Sequence, residues 1–192
     1  MLFCCLFHTF LSDTRRIMTR YLVFLRAINV GGHTVKMEEL KKLIAMPGFK
    51  NIASYIQSGN LAFDHAGTDP QALIDKIESK LLKSLGYEVK TFLKTRPGLE
   101  SVINNNPFND YPDDMVLHVS FLSGIPSPDV VKQMLALQNE FEQFRFIESE
   151  AYILVKKGAY GETKFSNTFL EKKLKLHATT RNWATINKML QL

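Results

Sequence analysis

The chain is poor in the residues that usually announce a chemistry. Its two cysteines, Cys4 and Cys5, are adjacent and close to the start, so they offer neither a disulfide framework nor a C-x-x-C spacing. That usage fits a reducing compartment, and a cytoplasmic location is expected. No run reaches the roughly 18 unbroken apolar residues of a membrane helix, so no membrane partner is expected. The five histidines, His8, His33, His65, His118 and His177, show no metal-ligand spacing, and no H-E-x-x-H occurs. G-x-G-x-x-G, G-x-x-x-x-G-K-[ST] and the G-x-S-x-G nucleophile elbow are also missing. Without geometry, no Ser, His and acid set stands out, so the residues select no reaction, no catalytic residue and no cofactor.

What is present describes an ordinary globular protein. Of 192 residues, 45% are hydrophobic and 22% charged, enough for one core or two small units sharing an interface. The net charge of +5 is local: from Lys156 onward, eight Lys and Arg face two Glu, while the preceding residues carry sixteen against seventeen. A basic end can attract nucleic acid, a phosphate-bearing ligand or an acidic protein, or can be a solvated helix face.

Residues 1–17 match nothing downstream and make a poor signal peptide, since the arginines follow the apolar run. They read as an extension outside the fold. From Arg20 the elements alternate. Tyr21–Arg26 is a strand, too continuously apolar to be half exposed. A helix starts near Lys36, with Thr34 as its N-cap, and ends at Pro47-Gly48. Strands Asn51–Ile56 and Leu61–Phe63 join through the polar turn Gln57-Ser58-Gly59-Asn60. A second helix starts at Thr68 or Asp69, with Pro70 in its first turn, and closes at Gly86. Val89–Leu93 completes a βαββαβ order, the ferredoxin-like arrangement.

After a short helix through Leu99 and Ile103, the loop 104–114 marks a junction. A second round follows: strand Met115–Leu122, helix Pro128–Leu137, strands Phe141–Ile147 and Tyr152–Lys156, and a helix from Phe165 to Leu176. A last helix from Arg181 to Leu192 takes the place of a closing strand, with Thr179 or Thr180 as its N-cap. The expected fold class is α+β, with two ferredoxin-like halves over 18–106 and 107–192, their sheets antiparallel and the second half ending in a basic helix.

Three polar stretches attract a site reading. Gly31-Gly32, ahead of the first helix, could expose backbone N–H groups to an anion, or simply form a turn that needs glycine. Gln57, Ser58 and Asn60 surround Gly59, and a hairpin turn explains them as well. Arg181 and Asn182 would lie in the first turn of the last helix, where an arginine is poorly placed against the helix dipole. That misfit hints at a carboxylate or ligand partner. Trp183 reads as a core anchor. For nucleic acid, the fold is shared with RNA-recognition domains, but the aromatic RNP signature is missing.

The blocks Leu25-Arg26-Ala27-Ile28-Asn29-Val30-Gly31-Gly32, Tyr55-Ile56-Gln57-Ser58-Gly59-Asn60 and Thr179-Thr180-Arg181-Asn182-Trp183, with Lys188 beyond, resemble the bacterial domain-of-unknown-function family 1697 from Met18 to the end. The resemblance implies small cytosolic α+β proteins with ferredoxin-like halves and brings no activity with it. Two positions depart from the family pattern: Ala27 stands where glycine is usual, and Ala184 where asparagine is usual. Lys164, Ser166 and Asn167 are further recurrent polar positions. An anionic small molecule such as a nucleotide, held by Arg26, Asn29, Gly31, Gly32, Gln57, Ser58, Asn60, Arg181 and Asn182, is the expected ligand. The alternatives are nucleic acid on the basic C-terminal helices, through Lys172, Lys173 and Lys175, or a purely structural role for the blocks.

Overall fold

Two four-stranded antiparallel sheets lie face to face, and helices cover their outer sides. This computed structural model describes residues 17–29, 32, 34–159 and 161–192. The first sheet comprises β1 (Thr19–Leu25), β2 (Lys50–Tyr55), β3 (Asn60–His65) and β4 (Thr91–Thr95), ordered β2-β3-β1-β4. Its helices are α1 (Met37–Ile44) and α2 (Pro70–Leu85), and α3 (Arg96–Asn104) follows β4. The second half repeats this plan with β5 (Met115–Leu122), α4 (Pro128–Leu135), β6 (Glu142–Ile147), β7 (Glu150–Lys156), α5 (Asn167–Leu174), β8 (Ala178–Asn182) and α6 (Trp183–Met189). Its sheet order is β6-β7-β5-β8. The α+β class with the split βαβ layout is as expected.

Alternation along the strands sorts side chains between layers. Tyr21, Val23 and Leu25 pack against Leu40 and Ile44 of α1 and Leu73, Ile77 and Leu81 of α2. Leu22 and Phe24 point the other way, into a central layer shared with Leu117, Val119 and Phe121 of β5. The second sheet's outer face packs Phe144 and Ile153 against Met134 of α4 and Leu170 and Leu174 of α5. Both faces of β1 are therefore covered, which is why its sequence is continuously apolar. Leu99 and Val102 of α3, with Ile186 and Met189 of α6, close the central layer.

One expectation needs correcting: the second half does have its closing strand. Residues 178–182 pair antiparallel with β5, with Val119 opposite Arg181 and Leu122 opposite Ala178. The strand escapes hydrophobic patterning because its inward side chains, Thr179 and Arg181, are polar and buried. The last helix consequently starts at Trp183, capped by Asn182 accepting from the Thr185 N–H at 2.8 Å, rather than by Thr179 or Thr180. The first helix begins at Met37 with no side-chain cap, so Thr34 does not cap it. Asp69 does cap α2, and Gly86 closes that helix in the left-handed conformation. The extension read over 1–17 lies, except for Ile17, outside the described residues. No helix among the described residues is long and apolar enough to cross a membrane.

Candidate functional site

The two halves are joined by basic side chains that reach across the central layer. Arg181, on β8, is 8% exposed and belongs chemically to the first half. Its Nε donates to Asn60 Oδ1, and its NH2 donates to the carbonyls of Leu25 and Ser58, each at 2.9 Å. Its NH1 donates to Thr179 Oγ1 at 2.9 Å and the Thr180 carbonyl at 2.7 Å. A guanidinium has five N–H donors, so every one is engaged. The group also lies 5.8 Å from the centre of the Phe24 ring. None of its partners is a carboxylate. Burial pulls its pKa down to about 10, which leaves it a cation at neutral pH.

Pairing registers make this arrangement one of a matched pair. Phe24 is opposite Asn60 in the first sheet, and Phe121 is opposite Glu150 in the second. Lys94 on β4 occupies the position of Arg181 on β8, since Leu22 faces Lys94 and Val119 faces Arg181. Lys94 crosses to the second half, bonds Glu150 and lies 5.6 Å from the Phe121 ring centre. The ring centres of the two phenylalanines lie 4.5 Å apart. The first N–H of each closing strand is also taken by a helix glutamate: Thr91 by Glu78, Ala178 by Glu171. The match breaks at one pair: Lys94 has a carboxylate, and Arg181 has the neutral amide of Asn60.

Each half of this pair borders a cleft. The cleft beside Arg181 has a volume of about 470 Å³ and is lined by Arg26, Asn29, Gln57, Ser58 and Arg181 among the residues expected from sequence. Ala27, Ile56, Asn167 and Thr179 join them. Asn60 is buried behind Arg181, Asn182 caps α6, and Gly32 does not line the cleft. Gly32 has φ of +87°, so a turn that glycine favours accounts for it. Gly31 lies outside the described residues. The end of β1 and the β2–β3 turn do share one end of the sheet, because Phe24 pairs with Asn60. The counterpart cleft of about 510 Å³ borders Lys94, Lys90, Glu78 and Ser149.

The turns explain the difference in shape. The N–H of Leu25 bonds the Gly59 carbonyl, and the N–H of Leu122 bonds the Ser149 carbonyl, both at 2.9 Å. Between strand end and that anchor, the first half carries Ile56 to Gly59 and the second only Glu148 and Ser149. Gln57 and Ser58 are the surplus, and both line the cleft. Ile56 has φ of +49° and is 51% exposed, a conformation that a β-branched residue resists. Ala27 has φ of +58°, which gives a reason for glycine being usual there. Such strain collects at functional sites. Gly59 is held more tightly: at φ +74°, a Cβ there would come within 2.7 Å of Ile28 Cγ2.

Asn29 is a staple, donating to the Gln57 carbonyl at 2.8 Å and accepting from the Val35 N–H at 2.7 Å. Arg26 pairs with Glu171 of α5, Nε to Oε1 at 3.1 Å and NH2 to Oε2 at 2.9 Å. Burial alone would raise the Glu171 pKa, but Arg26, the Ala178 N–H and His177 together hold it below the ordinary value. Arg26 NH1 and the side-chain amide of Gln57 have no protein partner among the described residues. Sequence reasoning missed Thr179 and Glu171 as members of this cluster; both act through contacts with the other half, which leave no local pattern. No group of His, Cys, Asp and Glu able to hold a metal occurs among the described residues. Lys172, Lys173 and Lys175 are exposed at the C-terminal end of α5, where cations offset the helix dipole.

The model of the family described as protein of unknown function, DUF1697, matches residues 18–152, more than half of the chain. The chain belongs to the DUF1697 family. The first two blocks fall inside that match, and the Arg181 block lies beyond it. A solved structure, that of the conserved bacterial protein SP0830 from Streptococcus pneumoniae, is similar to this DUF1697 chain at 26% identity and a TM-score of 0.71. The similarity covers 91% of this chain and 98% of that one. No curated protein matches.

Proposed function

We propose that this DUF1697 protein binds a small anionic molecule in the cleft beside Arg181. One observation carries the reading: Arg181 is a buried cation with no carboxylate among its partners, where its counterpart Lys94 has Glu150. Buried charges are normally paired, and an unpaired one raises the potential of any cavity beside it. Arg181 itself has no donor to offer, so it acts as a fixed charge. Direct contact falls to Arg26 NH1 and the Gln57 amide, with Ser58 beside them. The cleft's volume lies within the range of small-molecule sites. The split into halves 18–106 and 107–192, acting as one unit around this cleft, is part of the proposal, as is a cytoplasmic setting.

Thermal-shift measurements with nucleotides, phosphorylated metabolites and small carboxylates at millimolar concentration test the reading. A ligand at a hundred times its Kd stabilises by about 2.7 kcal/mol, roughly 5–10 °C for a chain of this size. Arg26→Gln should fold and lose that shift. If no anion in the panel stabilises the wild type, the proposal fails.

A further inference from the structure

Resting on the anion-site reading, we infer that Glu171 fixes how many charges the ligand carries, and that the ligand is a monoanion such as a carboxylate. Among the described residues the cleft is lined by two cations, Arg26 and Arg181, and by no acid. Glu171 neutralises Arg26 by pairing with two of its nitrogens. A further N–H, that of Ala178, fixes the carboxylate in place at 3.0 Å. What remains is the single charge of Arg181. A monoanion balances the described lining; a phosphate dianion or a triphosphate brings charge that none of the described lining residues matches.

The counterpart cleft supports the count. There Lys90 pairs with Glu78 and Lys94 with Glu150, so both cations are answered from within the chain. The anion that answers Lys94 is a carboxylate, carried by the protein itself. In the first cleft, Glu171 plays the part of Glu78, and Asn60 stands where Glu150 would supply the second negative charge. One negative charge is missing, and the ligand supplies it.

Calorimetric titration at pH 8 measures this with pairs of ligands matched in size. Each pair has a carboxylate or sulfonate and a phosphate monoester that is doubly ionised. The wild type should bind the monoanion of a pair at least as tightly. Glu171→Gln keeps the shape and the acceptor for the Ala178 N–H but removes one charge. Removing a charge this close changes affinity by about tenfold per ligand charge, so the dianion-to-monoanion affinity ratio should rise by about tenfold. General loosening of the cleft would lower both affinities and leave the ratio unchanged. An unchanged ratio in Glu171→Gln overturns the inference, as does a wild type that prefers dianions tenfold; the wild-type arm decides alone if the variant does not fold. Absence of any binding by either protein instead sinks the anion-site reading itself.

Discussion

Replacing Arg181 with alanine should show how much of the stability lies in one cross-chain side chain. Three of its donors reach the first half, to Asn60, Leu25 and Ser58. Hydrogen bonds from a charged group contribute about 1.5–3 kcal/mol each, or about 5–9 kcal/mol together. Against this stands the desolvation of a buried cation, several kcal/mol. Alanine also strands Asn60 Oδ1 and the Ser58 carbonyl, while the Leu25 carbonyl keeps the Thr179 hydroxyl, and it leaves a void beneath Phe24, so the net loss should be about 3–5 kcal/mol. On a total of about 5–15 kcal/mol for a folded domain, that is a large share, and the melting temperature should fall by about 10 °C. Urea titration followed by circular dichroism reads the loss directly. Arg181→Lys keeps the charge and loses the fork, and should recover less than half of it. A stability of Arg181→Ala within about 1 kcal/mol of wild type would refute the assignment of Arg181 as the tie between halves.

Other substitutions test neighbouring claims. Gly59→Ala should cost about 1–3 kcal/mol in urea titration, because its Cβ meets Ile28 at an unfavourable φ; a neutral result would mean the turn has room to shift. Ile56→Asn should stabilise by about 1 kcal/mol, since asparagine tolerates the left-handed region, and should weaken ligand binding if the exposed isoleucine serves the cleft; equal or lower stability would dismiss strain at this position. His118 has its pKa lowered by burial, and the Val116 backbone offsets part of that. The folded state therefore takes up fewer protons than the unfolded chain below pH 6.5, so stability should fall as pH drops from 7 toward 5. His118→Phe should flatten that slope and, by removing a buried Nδ1 without a partner among the described residues, be at least as stable at pH 7.5. Parallel pH profiles for both proteins would rule this out.

Much of the fold could be read from the chain because apolar spacing and local breakers agree with the final layers. Met115–Leu122 was legible to the residue, and Asp69, Pro70 and Gly86 bound α2 by capping chemistry alone. β4 runs Thr91–Thr95 rather than Val89–Leu93, because Val89 is buried ahead of the ladder. β8 was illegible for a different reason. Ala178 to Asn182 has no apolar alternation, and its inward Thr179 and Arg181 are matched by carbonyls some 150 residues away in sequence. The misfit seen in Arg181 as a helix N-terminal residue was real, but its origin was a strand. Arg26, Asn29, Gln57 and Ser58, grouped by motif, line one cleft. Which donors are already engaged depends on Glu171 and the Gln57 carbonyl, and no single block carries that information.

The residues just after the last helix lie against the start of β1 and of α3: Arg20 NH2 donates to the Leu192 carbonyl at 2.6 Å, and Arg96 NH1 donates to the Leu190 carbonyl. The order of the halves along the polypeptide is thus separable from their order in space. A circularly permuted chain, with Leu192 linked to Thr19 by a few flexible residues and new ends opened between Asn105 and Asp114, keeps every strand pairing and both clefts. It would read second half first, yet build the same central layer.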